Sequence, residues 1–89
     1  MEHHHTETKA ITDRLSRAIG HLEAVKAMVE SGRDCSEVLI QISAVRSALA
    51  STGRLLLQDH IEHCVREAME TGDRKTLDDL YQAIGKFIR

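Results

Sequence analysis

The chain has 89 residues, of which 42% are hydrophobic and only 2% aromatic, and it contains no proline or tryptophan. This composition lacks the aromatic residues that strands favour and the strongest helix breaker, so it excludes a typical β-sandwich and favours helices. The formal net charge of −2 at pH 7 argues against a uniformly basic nucleic-acid-binding domain. A local basic face on an oligomer would still suffice for such binding.

The first predicted helix covers about residues 7–31. Its apolar residues are spaced alternately four and three positions apart, which is the repeat of a heptad seam. This first seam consists of Ile11, Leu15, Ala18, Leu22, Val25 and Val29. Gly32 is the expected stop of the helix, and Asp34 or Ser36 is the expected cap of the next one.

The second predicted helix covers about residues 35–71 and shows the same alternating spacing. This second seam consists of Val38, Ile42, Val45, Leu49, Thr52 and Leu56. Gly53 weakens a helix by roughly 1 kcal/mol but does not forbid one, and Thr71-Gly72-Asp73 is expected to end it. A shorter third helix is predicted over about residues 74–88. The expected fold class is therefore all-α, a three-helix chain with a long second helix.

A chain of this length is expected to form one small domain, here a helical domain over residues 7–89 after a flexible N-terminal tail over residues 1–6. No apolar run approaches the roughly 20 residues that span a bilayer. The first residues, MEHHHTETK, lack the apolar core of a signal peptide. We therefore expect a cytoplasmic protein that does not contact a membrane.

The predicted second helix is too long to be covered by two shorter helices of its own chain. Its middle is rich in small residues, which let another helix approach closely. These are Ser43, Ala44, Ser47, Ala48, Ala50 and Ser51. We favour a contact between the second helices of two copies over a solvent-facing stripe chosen for helix propensity.

Two cysteines in a cytoplasmic chain indicate metal binding or redox chemistry rather than a structural disulfide. His60 and Cys64 are four residues apart and project from one helix face, a usual spacing for two metal ligands. Cys35 lies 25 positions before His60, or about 37 Å along one continuous helix. The two cannot share an ion within one chain, because metal–ligand bonds are about 2 Å long. If two second helices pair antiparallel, Cys35 of one copy lies beside His60 and Cys64 of the other, and the symmetry axis falls near Ala48 and Leu49.

Two thiolates and one imidazole suit Cu(I) in three-coordination, and they also suit Zn(II), or Ni(II) with further nitrogen ligands. The remaining histidines have simpler interpretations. His63 is expected on the solvated surface, and His21, beside the first seam, is expected in packing or on the surface. The run from His3 to His5 is either a tail or the source of one more ligand.

The stretches RLSRAIGHLEAVKAMVESGRDCSEVLIQISAVRSAL and DHIEHC resemble the CsoR/RcnR/FrmR family of bacterial metal-sensing transcriptional repressors, and the similarity covers nearly the whole chain. Its specific parts are the fingerprint Cys35, His60 and Cys64 and the block C-x-x-V-L-x-Q-I-x-A-V-R from Cys35 to Arg46. The resemblance implies an antiparallel dimer through the second helix and a disc-like homotetramer made of two dimers. It also implies that the metal-free protein binds operator DNA and releases it when the effector binds.

Members of this family differ in their effector. Copper sensors use the Cys-His-Cys set, whereas nickel and cobalt sensors add an N-terminal histidine, for which His3 is the candidate here. The presence of His60 argues against the persulfide-sensing members, and the presence of Cys64 argues against the formaldehyde-sensing members. We favour Cu(I) as the effector, with Ni(II) as the alternative.

Two positions depart from the copper-sensing pattern. Copper sensors often carry a tyrosine just before the first cysteine and a glutamate on the third helix, both supporting the metal ligands. Asp34 and Leu80-Tyr81 occupy these places here. Because such supporting groups tune a metal site, their replacement weakens the case for copper.

The sequence shows no helix-turn-helix and no aromatic stacking platform, so DNA binding would depend on phosphate contacts and DNA shape. In the family, basic residues on the first two helices form a positive face on the tetramer. The candidates here are Lys9, Arg14, Arg17 and Arg46, and Arg54 also lies off the second seam. Each could instead be a solvated charge paired with Asp13, Glu23 or Glu37.

Other classes of protein fit less well. A small metal-storage bundle, or a formaldehyde- or thiol-redox-sensing protein, is the competing interpretation, and the net charge of −2 favours one that does not bind DNA. We do not expect an enzyme, because no helix carries a nucleophile with an obvious base and a small bundle offers little pocket.

Overall fold

The computed structural model describes residues 8–88, which form three helices, α1 (Thr8–Glu30), α2 (Cys35–Thr71) and α3 (Lys75–Phe87). The predicted all-α class is confirmed, and each predicted helix end lies within one residue of the observed one. The longest dimension of the molecule is 56 Å, which matches the length of about 55 Å expected for α2 alone. Across residues 8–88, no helix combines the length and the apolarity needed to cross a bilayer.

Local sequence signals set the ends of α1 and α2. Gly32 and Gly72 follow these helices with φ angles of 77° and 73°, a left-handed conformation that glycine adopts without steric penalty. The Gly72 N–H donates to the Ala68 carbonyl at 2.9 Å. Of the two caps considered for α2, Asp34 is the one found, and its carboxylate accepts from the Ser36 N–H at 3.2 Å. Cys35 is therefore the first residue of α2.

Helices α1 and α2 form an antiparallel hairpin in which only alternate residues of each predicted seam are buried. The buried ones are Ile11, Ala18 and Val25 on α1 and Val38, Val45 and Thr52 on α2. The others are 40–60% exposed, namely Leu15, Leu22 and Val29 on α1 and Ile42, Leu49 and Leu56 on α2. One chain thus uses half of each seam and leaves an apolar surface uncovered.

Polar contacts fix the register of this hairpin. His21, which was expected in packing or on the surface, is half-buried, and its Nε2 lies 2.7 Å from Gln41 Oε1. Nearer the start of α1, Arg14 Nη1 donates to Ser51 Oγ at 3.4 Å. The buried Thr52 hydroxyl donates to the Ala48 carbonyl of its own helix at 2.8 Å, which satisfies it without a partner from α1.

Helix α3 packs on α2 alone, and among residues 8–88 it makes no contact with α1. Its last residue, Phe87, places its ring against Gly53 in the middle of α2. A Cβ at Gly53 would lie 2.5 Å from Phe87 Cε1, which no real contact tolerates. In the sequence, Gly53 was noted only because glycine weakens a helix. In the structure, its missing side chain leaves the space that the Phe87 ring of α3 occupies.

Candidate metal centre and DNA-binding face

The two cysteines lie in contrasting surroundings, and both are free thiols. Cys35 is exposed at the N-terminal end of α2, whereas Cys64 is 0% exposed. Burial raises the pKa of the Cys64 thiol, and the nearby charge of Glu67 raises it further. The Cys64 thiol is therefore harder to ionise in the folded chain than an ordinary cysteine.

His60 lies one helical turn before Cys64 and is half-buried in a groove between α2 and α3. This groove has a volume of about 610 Å³ and is mainly apolar. Its polar side chains are His60 on α2 and Thr76 and Asp79 on α3. The packing of α3 against α2 therefore defines the surroundings of His60, one of the three predicted metal ligands.

The third predicted ligand is far from the other two within one chain. Cys35 and His60 are 25 positions apart on the uninterrupted helix α2, a separation of about 37 Å. Among residues 8–88, no three His, Cys, Asp or Glu side chains come together in a way that could hold a metal ion. A single chain thus places His60 and Cys64 together and leaves Cys35 at the opposite end of α2.

Of the other histidines considered as ligands, His3 lies outside the described residues. The contacts of His21 with Gln41 and of Arg14 with Ser51 show that α1 runs antiparallel to α2. Helix α1 therefore starts, at Thr8, beside the half of α2 that leads to His60. His63, expected on the solvated surface, is half-buried, and its Nε2 lies 3.8 Å from Glu67 Oε2.

The four basic residues predicted to contact DNA are all exposed on α1 and α2, namely Lys9, Arg14, Arg17 and Arg46. Lys9 forms an ion pair with Asp13 at 2.8 Å. Pairing with Asp13 was the stated alternative to a role in DNA contact. Glu37, another possible partner, is engaged by Arg33 at 2.7 Å.

Arg54 was predicted to lie off the second seam but was not among the four candidate DNA contacts. It lines the same surface depression as Arg14 and Ser51, together with the amide side chain of Gln58. Two arginines from different helices therefore line one depression. Only the register of α1 on α2 reveals this pairing, because Arg14 and Arg54 are 40 positions apart in the sequence.

Comparison with known proteins gives a consistent result. The family model described as metal-sensitive transcriptional repressor matches residues 7–86. The copper-sensing transcriptional repressor CsoR of Bacillus subtilis (strain 168) is 38% identical over 84 residues, which cover 93% of this chain and 83% of that protein. The CsoR of Mycobacterium ulcerans (strain Agy99) is 37% identical over 86 residues, covering 94% of this chain and 74% of that protein.

Two solved structures share the fold. The copper-sensing repressor CsoR with Cu(I) from Geobacillus thermodenitrificans NG80-2 is 36% identical, with a TM-score of 0.87 over 100% of this chain and 94% of that one. The nickel-responsive transcriptional regulator InrS is 40% identical, with a TM-score of 0.78 over 98% of this chain and 99% of that one. The match to the family model and the identity to these relatives agree with the resemblance inferred from the sequence. The chain belongs to the family of metal-sensitive transcriptional repressors.

Proposed function

We propose that this repressor responds to Cu(I), which it binds at a site shared between two copies of the chain. Cys35 of one copy and His60 and Cys64 of the other would hold the ion. The observation that carries the proposal is that the uninterrupted helix α2 separates Cys35 from His60 and Cys64. The copper-sensing relatives support Cu(I) as the effector.

The exposed half of the second seam supports an antiparallel pairing of two α2 helices. Ile42 and Leu56, both exposed, lie seven positions on either side of Leu49. An antiparallel pair with its two-fold axis at Leu49 would place Ile42 of each copy opposite Leu56 of the other. Such a pair would cover apolar surface that a single chain leaves open.

The ligand positions give the same axis independently. The midpoint between Cys35 and His60 falls between Ser47 and Ala48, and the midpoint between Cys35 and Cys64 falls between Leu49 and Ala50. An axis near Leu49 therefore brings Cys35 of one copy to the His60–Cys64 end of the other. Each dimer would carry two such sites, and two dimers would form the tetramer that we propose.

The donor set fits Cu(I), because two soft thiolates with one imidazole suit its three-coordination. The bound ion would join two chains through its coordination bonds. Cys35 would anchor it at the start of one α2 helix, and His60 and Cys64 would anchor it near the end of the other. Cys64 would have to lose its proton on binding, which its raised pKa makes less favourable.

The repressor would act in the cytoplasm. It would hold operator DNA mainly through contacts with the DNA phosphates. Lys9, Arg14, Arg17 and Arg46 are the predicted contacts, and we add Arg54 because it lines one depression with Arg14. A tetramer repeats each of these residues four times, so a chain with a net charge of −2 can still present a basic face. Ligation across the dimer would favour one arrangement of the helices and so weaken this face, with a coupling of roughly 1–3 kcal/mol.

Ni(II) is the alternative effector, with His3 as an additional ligand. Its support is the similarity to the nickel-responsive regulator InrS and the start of α1, which lies on the side of α2 that leads to His60. His3 is five residues before Thr8, a stretch that can reach roughly 17 Å. Residues 1–6 would then be a tail that contributes a metal ligand.

An anaerobic titration of the reduced, metal-free protein with Cu(I), in competition with a chromophoric chelator, and then with Ni(II), tests the proposal. The His3→Ala variant is titrated in parallel, and binding to operator DNA is followed at each step. Tight Cu(I) binding at one ion per chain, unchanged by His3→Ala and accompanied by DNA release, is the expected result. Ni(II) binding that is lost in the variant would establish the alternative, and binding of neither metal would point to thiol chemistry at Cys35.

A further inference from the structure

Helix α3 is held to the rest of the chain by one face only. Within residues 8–88 it contacts α2 and not α1, and none of its described residues is fully buried. At its start the Asp73 carboxylate accepts from the Lys75 N–H at 2.9 Å, whereas Arg74 makes no side-chain capping hydrogen bond. Elements with few buried contacts open locally at a lower free energy than the whole fold.

The contact between the Phe87 ring and Gly53, called the seat of Phe87 below, sets the position of α3 along α2. The two helices run antiparallel, so the residue 11 positions after Gly53 lies near the residue 11 positions before Phe87. These residues are Cys64 and Thr76, which places the first turn of α3 beside Cys64. The groove between the helices agrees with this register, since Thr76, Leu80 and Phe87 line it together with His60 and Gly53.

The complete burial of Cys64 follows from this arrangement. Helix α1 starts, among the described residues, at Thr8, and its register on α2 leaves it short of Cys64. Among residues 8–88, helix α3 is therefore the element that this register places over Cys64, which is 0% exposed although the end of α2 around it is largely open to solvent. In this arrangement the Cys64 side chain presents no exposed surface to an ion or to a thiol from another chain.

We propose that α3 is a cover over Cys64, positioned by the seat of Phe87 on Gly53, and that it must move before this thiol can bind a metal. Cys35, which is exposed, needs no such movement, so the two thiolates of one site differ in access. The role of the cover in metal loading rests on the proposed function, whereas the access of Cys64 can be tested without any metal.

The test is the alkylation of the reduced, metal-free, full-length protein with N-ethylmaleimide. Peptide mass spectrometry reads the rates at Cys35 and Cys64 in the same sample. Rates are measured at one near-neutral pH, and the rate of each cysteine in the urea-unfolded chain at the same pH is the reference for an unprotected thiol. We expect Cys64 to react at least roughly tenfold more slowly than Cys35, because it reacts only when α3 opens.

Two variants remove the seat in different ways. Phe87→Ala removes the ring, and Gly53→Ala fills the space that the ring occupies. Each should raise the rate at Cys64 by roughly tenfold and leave Cys35 unchanged. Because alanine favours a helix more than glycine does, Gly53→Ala is not expected to weaken α2, so general unfolding would not explain a faster Cys64. Tyr81→Ala, at an α3 side chain that is 73% exposed, is the matched control and should change neither rate.

The inference is overturned if Cys64 in the unmodified sequence reacts as fast as Cys35. It is also overturned if both Gly53→Ala and Phe87→Ala leave the rate at Cys64 unchanged. A protein that binds no Cu(I), yet shows a protected Cys64 that both variants release, would keep the cover and refute the proposed function. A protein that binds Cu(I), yet has a Cys64 that is alkylated as fast as Cys35, would keep the proposed function and refute the cover.

Discussion

Cys35 and His60 lie on one uninterrupted helix, 25 positions apart. Because α2 is continuous over this distance of about 37 Å, no motion of side chains can bring the two residues to one ion within a chain. Under the proposed function, the smallest unit that completes the site is therefore a dimer. The same dimer interface would then hold the metal and join the two chains. Metal binding and assembly can therefore be tested separately only with substitutions that change the ligands alone or the contact surface alone.

Complementation between two inactive variants tests the shared site directly. Cys35→Ala and Cys64→Ala each destroy every site in a dimer of identical chains. In a mixed dimer, Cys35 of the Cys64→Ala chain meets His60 and Cys64 of the Cys35→Ala chain, so one site of two is intact. We expect a mixture, after subunit exchange, to regain tight Cu(I) binding at up to one ion per mixed dimer.

The two variants alone are the controls, and both should bind DNA like the unmodified protein but fail to release it with Cu(I). Cys35 is exposed at the end of α2 and the adjacent cap is the side chain of Asp34, so Cys35→Ala should cost little stability. Full metal response by Cys35→Ala on its own, or no recovery in verified mixed dimers, would refute the shared site.

Leu49→Asp should separate folding from assembly. Leu49 is 45% exposed in one chain, so the aspartate can remain hydrated there and the helical content should be retained. At the proposed two-fold axis, however, two carboxylates would meet in an apolar interface, which costs on the order of a few kcal/mol. Sedimentation at several protein concentrations should show a smaller species, with weaker Cu(I) binding.

Met69→Asp is the matched control for this substitution. Met69 is on the same helix and 82% exposed, but it lies outside the second seam. This variant should keep the mass of the unmodified protein. An unchanged mass for Leu49→Asp would rule out an α2–α2 contact centred on Leu49.

Local signals in the sequence were sufficient for the helices but not for their packing. Gly32, Gly72 and Asp34 act within a few residues of the helix ends that they set, so the bounds could be predicted closely. The two seams were also found. Which half of each seam is buried inside the chain depends on the rotation of α1 relative to α2, and the periodicity is the same for both halves.

The candidate site shows the same division. The spacing of Cys35, His60 and Cys64 predicted the ligands and their separation along a helix, because both follow from helix geometry alone. The burial of Cys64 could not be predicted, because it depends on α3. That helix is placed by a contact between Gly53 and Phe87, which are 34 positions apart, and a glycine in a helix does not reveal which ring will lie against it.

The stability of the metal-free protein should fall at alkaline pH because of Cys64. Burial, and then the charge of Glu67, raise the pKa of this thiol in the folded chain. The folded state therefore holds the proton more tightly than the unfolded state does. The resulting stabilisation is present below the ordinary pKa of 9.0 and is lost as the pH rises through the higher folded value.

Urea unfolding of the reduced protein between about pH 8 and about pH 11 measures this effect. The unmodified protein should lose more stability over this range than Cys64→Ala, at equal protein concentration. Tyrosine and lysine titrate in both proteins, so their contributions cancel in the difference. Parallel pH profiles would show that the Cys64 thiol is not shielded in solution.

The depression that Arg14 and Arg54 share should be a phosphate-binding part of the DNA-binding face. Replacing either residue with alanine should weaken operator binding, because each guanidinium is exposed and both line one depression. The slope of log affinity against log salt concentration should become shallower by at least about 1 for each variant, since fewer counterions are released. Fluorescence anisotropy with operator DNA over a range of salt concentrations measures both effects.

Arg33→Ala is the matched control for these two variants. Arg33 is an exposed arginine too, but its guanidinium is already engaged by Glu37 at 2.7 Å, so its replacement should leave both affinity and slope nearly unchanged.

Arg14→Ala and Arg54→Ala should still bind Cu(I) like the unmodified protein, because neither arginine lines the groove that contains His60. Equal losses for Arg33→Ala would mean that general charge, rather than this depression, attracts DNA. A loss of Cu(I) binding in the Arg14 or Arg54 variants would mean that the arginines act through assembly instead of through phosphate contacts.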